Sequence, residues 1–261
     1  MANPIRTVLL LVATLLCGCG NLLPNNWVSS PNFNERRPNY VVIHQTDSVS
    51  YDSALDTLTN PSKQVSAHYL IAKNGMITQL VDEKNRAWHA GKSWWGGQTD
   101  MNSASIGIEL DHQGDAPFEP AQIDALLKLL RQIGERYRIP VANHLAHGDV
   151  APQRKNDPNS LFPWQTLAEQ GFGLWCSAEE SISLPNGLDP LLGLQAFGYD
   201  VSNSAKAALA FRRHFRSGNS SAQLADDDLR VLACLLTKKA LSNKSQNSVE
   251  NSAPPRSLSS E

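Results

Sequence analysis

The chain has 261 residues, of which 41% are hydrophobic and 18% are charged, and its formal net charge is -2. This balance lacks the basic excess of a typical nucleic-acid-binding protein, so we predict no nucleic-acid partner. The apolar content is sufficient for an ordinary soluble core, and the length predicts one or two domains.

The first 19 residues have the pattern of an export signal. A basic residue, Arg6, precedes an apolar run at 8–16 that is too short to span a bilayer. The run ends in the sequence LCGC, whose second cysteine, Cys19, follows a small residue. This arrangement resembles a bacterial lipobox and predicts that Cys19 becomes the acylated first residue of the mature protein.

The residue after Cys19 indicates to which membrane such a lipoprotein is sorted. It is Gly20 and not an aspartate, which in enteric-type bacteria implies sorting to the outer membrane. We therefore predict an outer-membrane lipoprotein that faces the periplasm and is held by an N-terminal lipid anchor. The alternative is an ordinary cleaved signal peptide and a soluble periplasmic protein.

Changes in composition divide the rest of the chain. Ser, Glu, Pro, Asn and Gly dominate the stretch before residue 190, which is typical of a linker, and apolar residues almost disappear after residue 240, which predicts disorder. The prediction has six segments: signal peptide and lipobox at 1–19, tether at 20–36, globular domain at 37–175, linker at 176–188, helical domain at 189–239 and disordered tail at 240–261.

Processing at Cys19 would leave Cys176 and Cys234 as the two thiols of the mature chain. An oxidising periplasm would allow them to form one disulfide. Two buried, unpaired cysteines are the alternative, because the sequence does not show whether they are close in space.

Strand and helix patterns alternate in the globular domain. Short apolar or β-branched runs predict strands at 40–44, 68–72, 76–81, 105–110 and 141–145, with Asn74-Gly75 favouring a hairpin turn between the second and third. Apolar residues at helical spacing predict a helix between 119 and 138. The pattern predicts an α/β fold in which helices flank a mixed central sheet.

Candidate metal ligands lie at strand ends and in one loop. The segment 147–157 carries His147 and Asp157 and contains Pro152, which excludes an ordinary helix interior. His44 ends the first predicted strand. Two imidazoles and one carboxylate suit zinc, and three protein ligands with one position left for water are typical of a catalytic zinc site.

Two further residues have the chemistry that such a site requires. Glu109 lies among apolar residues in the fourth predicted strand, where burial raises a carboxyl pKa toward the range of a general base. Lys155 lies between His147 and Asp157 and would place positive charge beside an oxyanion. The alternatives are an outward-facing carboxylate on an edge strand and a solvated loop lysine.

Five motifs occur in an order that resembles the type-2 N-acetylmuramoyl-L-alanine amidase family. They are YVVIH at 40–44, SAHY at 66–69, AWHAG at 87–91, SIGIE at 105–109 following Asn102, and HGDVAPQRKNDP at 147–158. The resemblance extends over about residues 36–170. It departs from the family pattern at Ala146 and Asn159, where glycine is common, and these departures concern the shape of the loop.

The resemblance implies a zinc-dependent hydrolase with the amidase type-2 fold. Carried over to this sequence, the zinc ligands are His44, His147 and Asp157, the general base is Glu109, and Lys155 stabilises the transition state. The implied substrate is peptidoglycan or its muropeptides, cleaved between N-acetylmuramic acid, or its anhydro form, and L-alanine. We expect a monomer.

The remaining histidines and aromatic residues near these motifs require separate interpretation. The family pattern assigns the ligand to His147 rather than His144, and we interpret His68 as a structural residue. The loop that begins with Trp88 and His89 resembles the family's substrate-groove wall, and with Asn102 these are the predicted substrate-binding residues. A small satellite core is the alternative for this loop.

Three helical patterns follow the linker. The first lies at 190–197, and Asn203 and Asp226 are predicted to cap the second and third. Together they resemble a small three-helix peptidoglycan-binding domain. The alternative is a helical cap that is docked on the globular domain and completes its core.

Two non-enzymatic functions compete with the amidase hypothesis. A peptidoglycan-recognition protein can share this fold without catalysis, but such proteins typically lack the ligand at the position of Asp157. The second is a structural protein that links the outer membrane to the cell wall through its C-terminal helices. That hypothesis predicts wall binding that does not respond to a chelator.

Overall fold

The structure is a computed structural model that describes residues 35–252, except residues 115, 178–179, 181–186 and 217–220. Five strands form one sheet in the order β3-β2-β4-β1-β5. Their bounds are β1 Tyr40–Gln45, β2 Tyr69–Ile71, β3 Ile77–Gln79, β4 Ser105–Leu110 and β5 His144–Ala146. Only the β2–β3 pair is antiparallel in this sheet, so the predicted mixed sheet is confirmed.

Eight α-helices are present in the described part of the chain. They are α1 Tyr51–Thr59, α2 Met101–Ala104, α3 Pro120–Tyr137, α4 His147–Val150, α5 Trp164–Glu169, α6 Pro190–Phe197, α7 Ser204–Phe215 and α8 Asp226–Ser252. Short 3-10 turns occupy Pro61–Lys63 and Val141–Asn143. No described helix has the length and apolar character needed to cross a membrane.

Several boundaries differ from those predicted. Residues Val141–Asn143 form a 3-10 turn, so the predicted strand at 141–145 begins only at His144. Helix α8 continues to Ser252, so the predicted end of the helical segment near residue 239 is wrong. Helix α1 was not predicted, although Ser50 caps it and apolar residues recur along it at helical spacing.

The two faces of the sheet bury different sets of side chains. Val41 and Ile43 of β1 belong to a core that includes the apolar face of α3. Val42 lies between them and faces the opposite side, as strand alternation requires. His44 continues the second set, so its side chain emerges at the end of β1 on the face opposite α3.

The C-terminal helices cover this second face. Leu194 of α6, Phe211 of α7 and Leu232 of α8 belong to the same buried cluster as Val42 and Leu145 of the sheet. Residues 189–239 therefore share a core with the globular domain, as the docked-cap alternative requires. Their assignment as a peptidoglycan-binding domain stays a prediction.

A disulfide joins the segment after α5 to the C-terminal helices. Cys176 and Cys234 are bonded, with their Cα atoms 6.3 Å apart. The alternative of two unpaired buried thiols is therefore wrong. The predicted signal peptide, the acylated Cys19 and the tether up to residue 34 lie outside the described residues.

Candidate metal centre and active site

Parallel strands bring the candidate residues to one edge of the sheet. In the register of β1 and β4, His44 is paired with Glu109. On the other side of β1, strand β5 runs parallel and continues directly into α4, whose first residue is His147. Because parallel strands end at the same edge, residues that are remote in sequence meet there.

Three buried side chains converge at this edge. His44 Nδ1 lies 2.9 Å from His147 Nδ1 and 3.4 Å from Asp157 Oδ2, and the last two atoms are 3.1 Å apart. Ligands about 2.0–2.1 Å from a tetrahedral zinc ion lie roughly 3.3 Å from one another. The chemistry and spacing of these atoms therefore fit a divalent metal, and this trio is the one metal-type cluster among the described residues.

The protonation of the cluster agrees with metal binding. Burial, with a smaller contribution from the neighbouring His147, lowers the pKa of His44 to about 4. Burial alone would raise the pKa of Asp157, but the adjacent imidazoles of His147 and His44 hold that pKa well below its usual range. A neutral imidazole and an ionised carboxylate are the forms that bind metals.

Glu109 lies beside the trio without belonging to it. Its Oε1 is 3.8 Å from His44 Nδ1, and its buried Oε2 has no hydrogen-bond partner among the described residues. Burial raises the pKa of Glu109 to about 8, and the charge of Asp157 contributes in the same direction. A carboxyl group with a raised pKa and an unused oxygen is suited to exchanging protons with a bound molecule.

A cavity of about 260 Å³ opens onto these groups. Lys155 and Trp88 line it together with Glu109, His147 and Asp157. The Lys155 side chain is exposed, and Trp88 is 53% exposed, so both are available to a ligand. Part of the opposite wall is α1, the helix that the sequence analysis missed.

His89 also borders the cavity, but its ring lies behind His44. His89 Nδ1 is 3.1 Å from His44 Nε2, and His89 Nε2 is 3.3 Å from Ser105 Oγ. Ser105 Oγ donates its proton to the carbonyl oxygen of Met101, so it accepts from His89 Nε2. His89 therefore carries its proton on Nε2, and its Nδ1 accepts a hydrogen bond from His44 Nε2. The other nitrogen of His44, Nδ1, is then unprotonated, and its lone pair faces the metal position.

These contacts give two of the predicted substrate-binding residues a supporting role, and their contact with substrate stays a prediction. Asn102 is buried, and its Oδ1 accepts hydrogen bonds from the backbone N–H groups of His89 and Ala90. A Cβ on Gly107 would lie 2.3 Å from Cγ of His89, so the strand needs glycine there to admit the ring. Asn102 and Gly107 position His89, and His89 positions His44.

Interrupting the series of hydrogen bonds from His44 through His89 to Ser105 at its last member is expected to weaken metal binding. Ser105→Ala removes the acceptor for His89 Nε2 without changing any candidate ligand. We expect zinc affinity to fall roughly 10-fold, since outer partners of a histidine ligand typically contribute 10–100-fold to metal affinity. Competition with a chromophoric chelator measures this. Ser93→Ala, which removes another buried hydroxyl, is the control, and equal affinities of both variants and the wild type would contradict the role of Ser105.

The other two candidate histidines lie outside the trio. His144 is buried, its Nδ1 is 3.2 Å from the carbonyl oxygen of Val141, and it contributes no atom to the cluster. His68 is fully buried, and its Nδ1 accepts a hydrogen bond from the backbone of Gly107. Both positions agree with the structural roles given to them from the sequence.

Asn159, at a position where the family pattern commonly has glycine, makes two hydrogen bonds in the structure. Its backbone N–H donates to Gln45 Oε1, and its side-chain Nδ2 donates to the carbonyl oxygen of Gly114. A glycine would supply only the first of these contacts. The asparagine side chain therefore ties the loop that carries Asp157 to the segment at Gly114, after β4.

Comparisons with known proteins agree with this geometry. The sequence profile of the family described as N-acetylmuramoyl-L-alanine amidase matches residues 34–160, which include the trio and Glu109. The N-acetylmuramoyl-L-alanine amidase AmiD of Escherichia coli K12 is 43% identical over 230 aligned residues, which cover 76% of this chain and 82% of AmiD.

Two solved structures are similar over most of the chain. One is E. coli AmiD in complex with the substrate anhydro-N-acetylmuramic acid-L-Ala-D-gamma-Glu-L-Lys, with a TM-score of 0.70, 40% identity, and coverage of 81% of this chain and 93% of AmiD. The other is AmpDh3 of Pseudomonas aeruginosa in complex with anhydromuramic pentapeptide, with a TM-score of 0.71, 29% identity, and coverage of 84% and 98%.

Proposed function

This chain belongs to the N-acetylmuramoyl-L-alanine amidase family, and we propose that it is a zinc-dependent amidase that releases stem peptides from peptidoglycan fragments. The bond cleaved is the amide between the lactyl group of N-acetylmuramic acid, or of its anhydro form, and L-alanine. The observation that carries the proposal is the convergence of His44, His147 and Asp157 beside Glu109, with the last three of these residues lining one open cavity.

The candidate ligands would hold the ion through two imidazole nitrogens and one carboxylate oxygen. A zinc ion held there would supply a Lewis acid able to activate water and polarise a carbonyl group, and its charge would favour the ionised form of Glu109. The hydrogen-bond chain through His89 and Ser105 keeps His44 in the tautomer that this coordination requires.

Glu109 and Lys155 supply the remaining chemistry. Glu109 accepts a proton from the attacking water as the new C–O bond forms, and passes it to the alanine nitrogen as the C–N bond breaks. Lys155 lines the same cavity and places its ammonium group near the oxyanion that develops on the carbonyl oxygen. The products are a free muramyl carboxylate and a peptide whose N-terminal residue is L-alanine.

The rim of the cavity suits a substrate with both polar and apolar faces. Trp88 and Val65 line the cavity and are 53% and 42% exposed, respectively. An aromatic ring in this position can pack against a sugar or peptide face. Both similar solved structures contain anhydromuramyl peptides, which supports including the anhydro form among the proposed substrates.

Digestion of defined muropeptides tests the reaction and the cofactor together. The protein would be incubated with muropeptides that carry either intact or anhydro-muramic acid, with and without a zinc chelator, and the products identified by mass spectrometry. We expect free peptides that begin with L-alanine only when the metal is present. Undigested muropeptides in the metal-loaded sample, or cleavage that survives complete zinc removal, would contradict the proposal.

We further propose that Cys19 carries a lipid that anchors the enzyme to the periplasmic side of the outer membrane. The sequence LCGC and the following Gly20 support this proposal. Cell fractionation checks it, because a Cys19→Ala variant is expected to be lost from the outer-membrane fraction. Retention of that variant in the outer membrane would contradict lipid anchoring.

A further inference from the structure

We propose that the C-terminal helices clamp the segment that carries His147, and that His214 and Tyr199 are positioning residues for the metal centre. The proposal rests on the proposed function in so far as the centre binds zinc. It assigns a role to residues 189–239 that differs from wall binding. The contact point is Asp149, which lies two residues after His147 in the four-residue helix α4.

The carboxylate of Asp149 is almost completely buried and receives three hydrogen bonds. Tyr199 OH donates to Oδ1 at 2.7 Å, and His214 Nδ1 lies 2.6 Å from Oδ2. The backbone N–H of Ala146, immediately before α4, donates to Oδ2 at 2.8 Å. A buried carboxylate needs such partners, so Asp149 has a strong preference for one position.

The donors from the C-terminal helices are themselves held rigidly. Tyr199 is fully buried in the cluster between the sheet and the helices. The ring of His214 is stacked between Trp164 and Phe215, with centroid distances of 3.8 and 3.9 Å. Trp164 begins α5, the helix that follows the Asp157 loop. His214 therefore joins α7 to α4 and α5, the helices before and after the Asp157 loop.

A second contact reaches the same segment from α7. A Cβ on Gly148 would lie 2.9 Å from Nη1 of Arg213, so the arginine side chain lies across this glycine. The backbone N–H of Gly148 donates to the carbonyl oxygen of Asp157 at 2.8 Å. Movement of α4 away from α7 would thus disturb both His147 and Asp157, since a backbone hydrogen bond couples their segments.

The short length of α4 explains why an external clamp is needed. A single helical turn is unstable alone, because the cost of nucleation is not recovered over so few hydrogen bonds. Its orientation must come from tertiary contacts, and Asp149 carries the strongest of these. Fixing Asp149 fixes the turn, and the turn sets the direction in which His147 Nδ1 points.

Two substitutions of His214 separate the hydrogen bond from ring packing. His214→Phe keeps a ring between Trp164 and Phe215 but removes the donor to Asp149. His214→Asn keeps an N–H near the position of Nδ1 but removes the ring. The measurement is the zinc affinity of the metal-free full-length protein, determined by chelator competition well below each variant's Tm.

We expect His214→Phe to weaken zinc binding roughly 10- to 100-fold, the range found for outer partners of metal sites. His214→Asn should recover most of this loss, although its Tm should be lower than that of His214→Phe. Tyr199→Phe, which removes one hydroxyl, should weaken binding less, and it carries the test if His214→Phe does not fold. The Co²⁺ absorption spectrum should change in parallel, because the ligand geometry is altered.

Asp228→Asn is the matched control for general loosening of the helices. Asp228 of α8 forms ion pairs with Arg212 of α7 and with Arg216 at the end of that helix. The three hydrogen bonds to Asp149 do not involve Asp228. We expect a lower Tm with unchanged zinc affinity. Equal zinc affinity of His214→Phe and the wild type, or an equal loss in Asp228→Asn, would overturn the clamp.

The same measurements separate the clamp from the proposed function. A wild type that binds no zinc would overturn both proposals. Zinc binding that depends on the His214 donor, in a protein that cleaves no muropeptide, would support the clamp and overturn only the proposed function.

Discussion

Replacing His147 by alanine is expected to abolish tight zinc binding and, with it, amidase activity. His147 Nδ1 lies within 3.1 Å of both other candidate ligand atoms, so its removal leaves one imidazole and one carboxylate. Loss of a ligand should exceed the roughly 10- to 100-fold effect typical of outer partners, so we expect zinc affinity to fall more than about 100-fold. Chelator competition and metal analysis of the purified variant measure this.

His144→Ala is the matched control for this substitution. His144 is buried at the other end of β5 and competed with His147 as a ligand in the sequence analysis. Removing its ring should lower the free energy of unfolding by about 1–3 kcal/mol while zinc stays bound. If His144→Ala lost the metal and His147→Ala kept it, the ligand assignment would be reversed.

Glu109→Gln is expected to separate catalysis from metal binding. The amide has nearly the same shape as the carboxyl group but cannot accept the proton of the attacking water. General acid–base catalysis typically contributes 10²–10⁴-fold, so kcat on a purified muropeptide should fall by about that factor. Zinc affinity should stay within about twofold, because Glu109 does not belong to the trio.

Glu83→Gln provides the comparison, since Glu83 is a buried glutamate that pairs with Arg136 outside the cavity. This variant should lose stability and keep its kcat. Chromatographic assay of released peptide under saturating substrate distinguishes the two variants. Wild-type turnover in Glu109→Gln, or loss of zinc together with activity, would show that the base has been assigned incorrectly.

Two local patterns account for what could be predicted of the fold. The β-branched run at 40–44 and the helical spacing within α3 are short-range signals, because each depends on the periodicity of a single element. The 3-10 turn at Val141–Asn143 and the helical turn α4 were missed because tertiary contacts determine such short elements.

The candidate trio was identifiable because residue chemistry and spacing restrict the choices. His147 and Asp157 lie on one loop, and His44, 103 residues away from His147, ends a predicted strand. The resemblance to a known family then assigned all three as ligands. Their convergence follows from the parallel pairing of β1 with β5. His89 was assigned to substrate binding from the resemblance of its loop, and nothing in its local sequence shows that Gly107 leaves space for its ring.

The sequence by itself determined the fold class, the family and the residues able to hold a metal, because periodicity, residue chemistry and motif order are properties of the linear chain. Only the tertiary structure decided that His89 supports His44 and that His214 and Tyr199 hold Asp149. These contacts join segments that no local pattern connects. They form because folding buries polar groups from remote segments beside one another. A buried polar group without a hydrogen bond costs free energy, so these groups pair with each other.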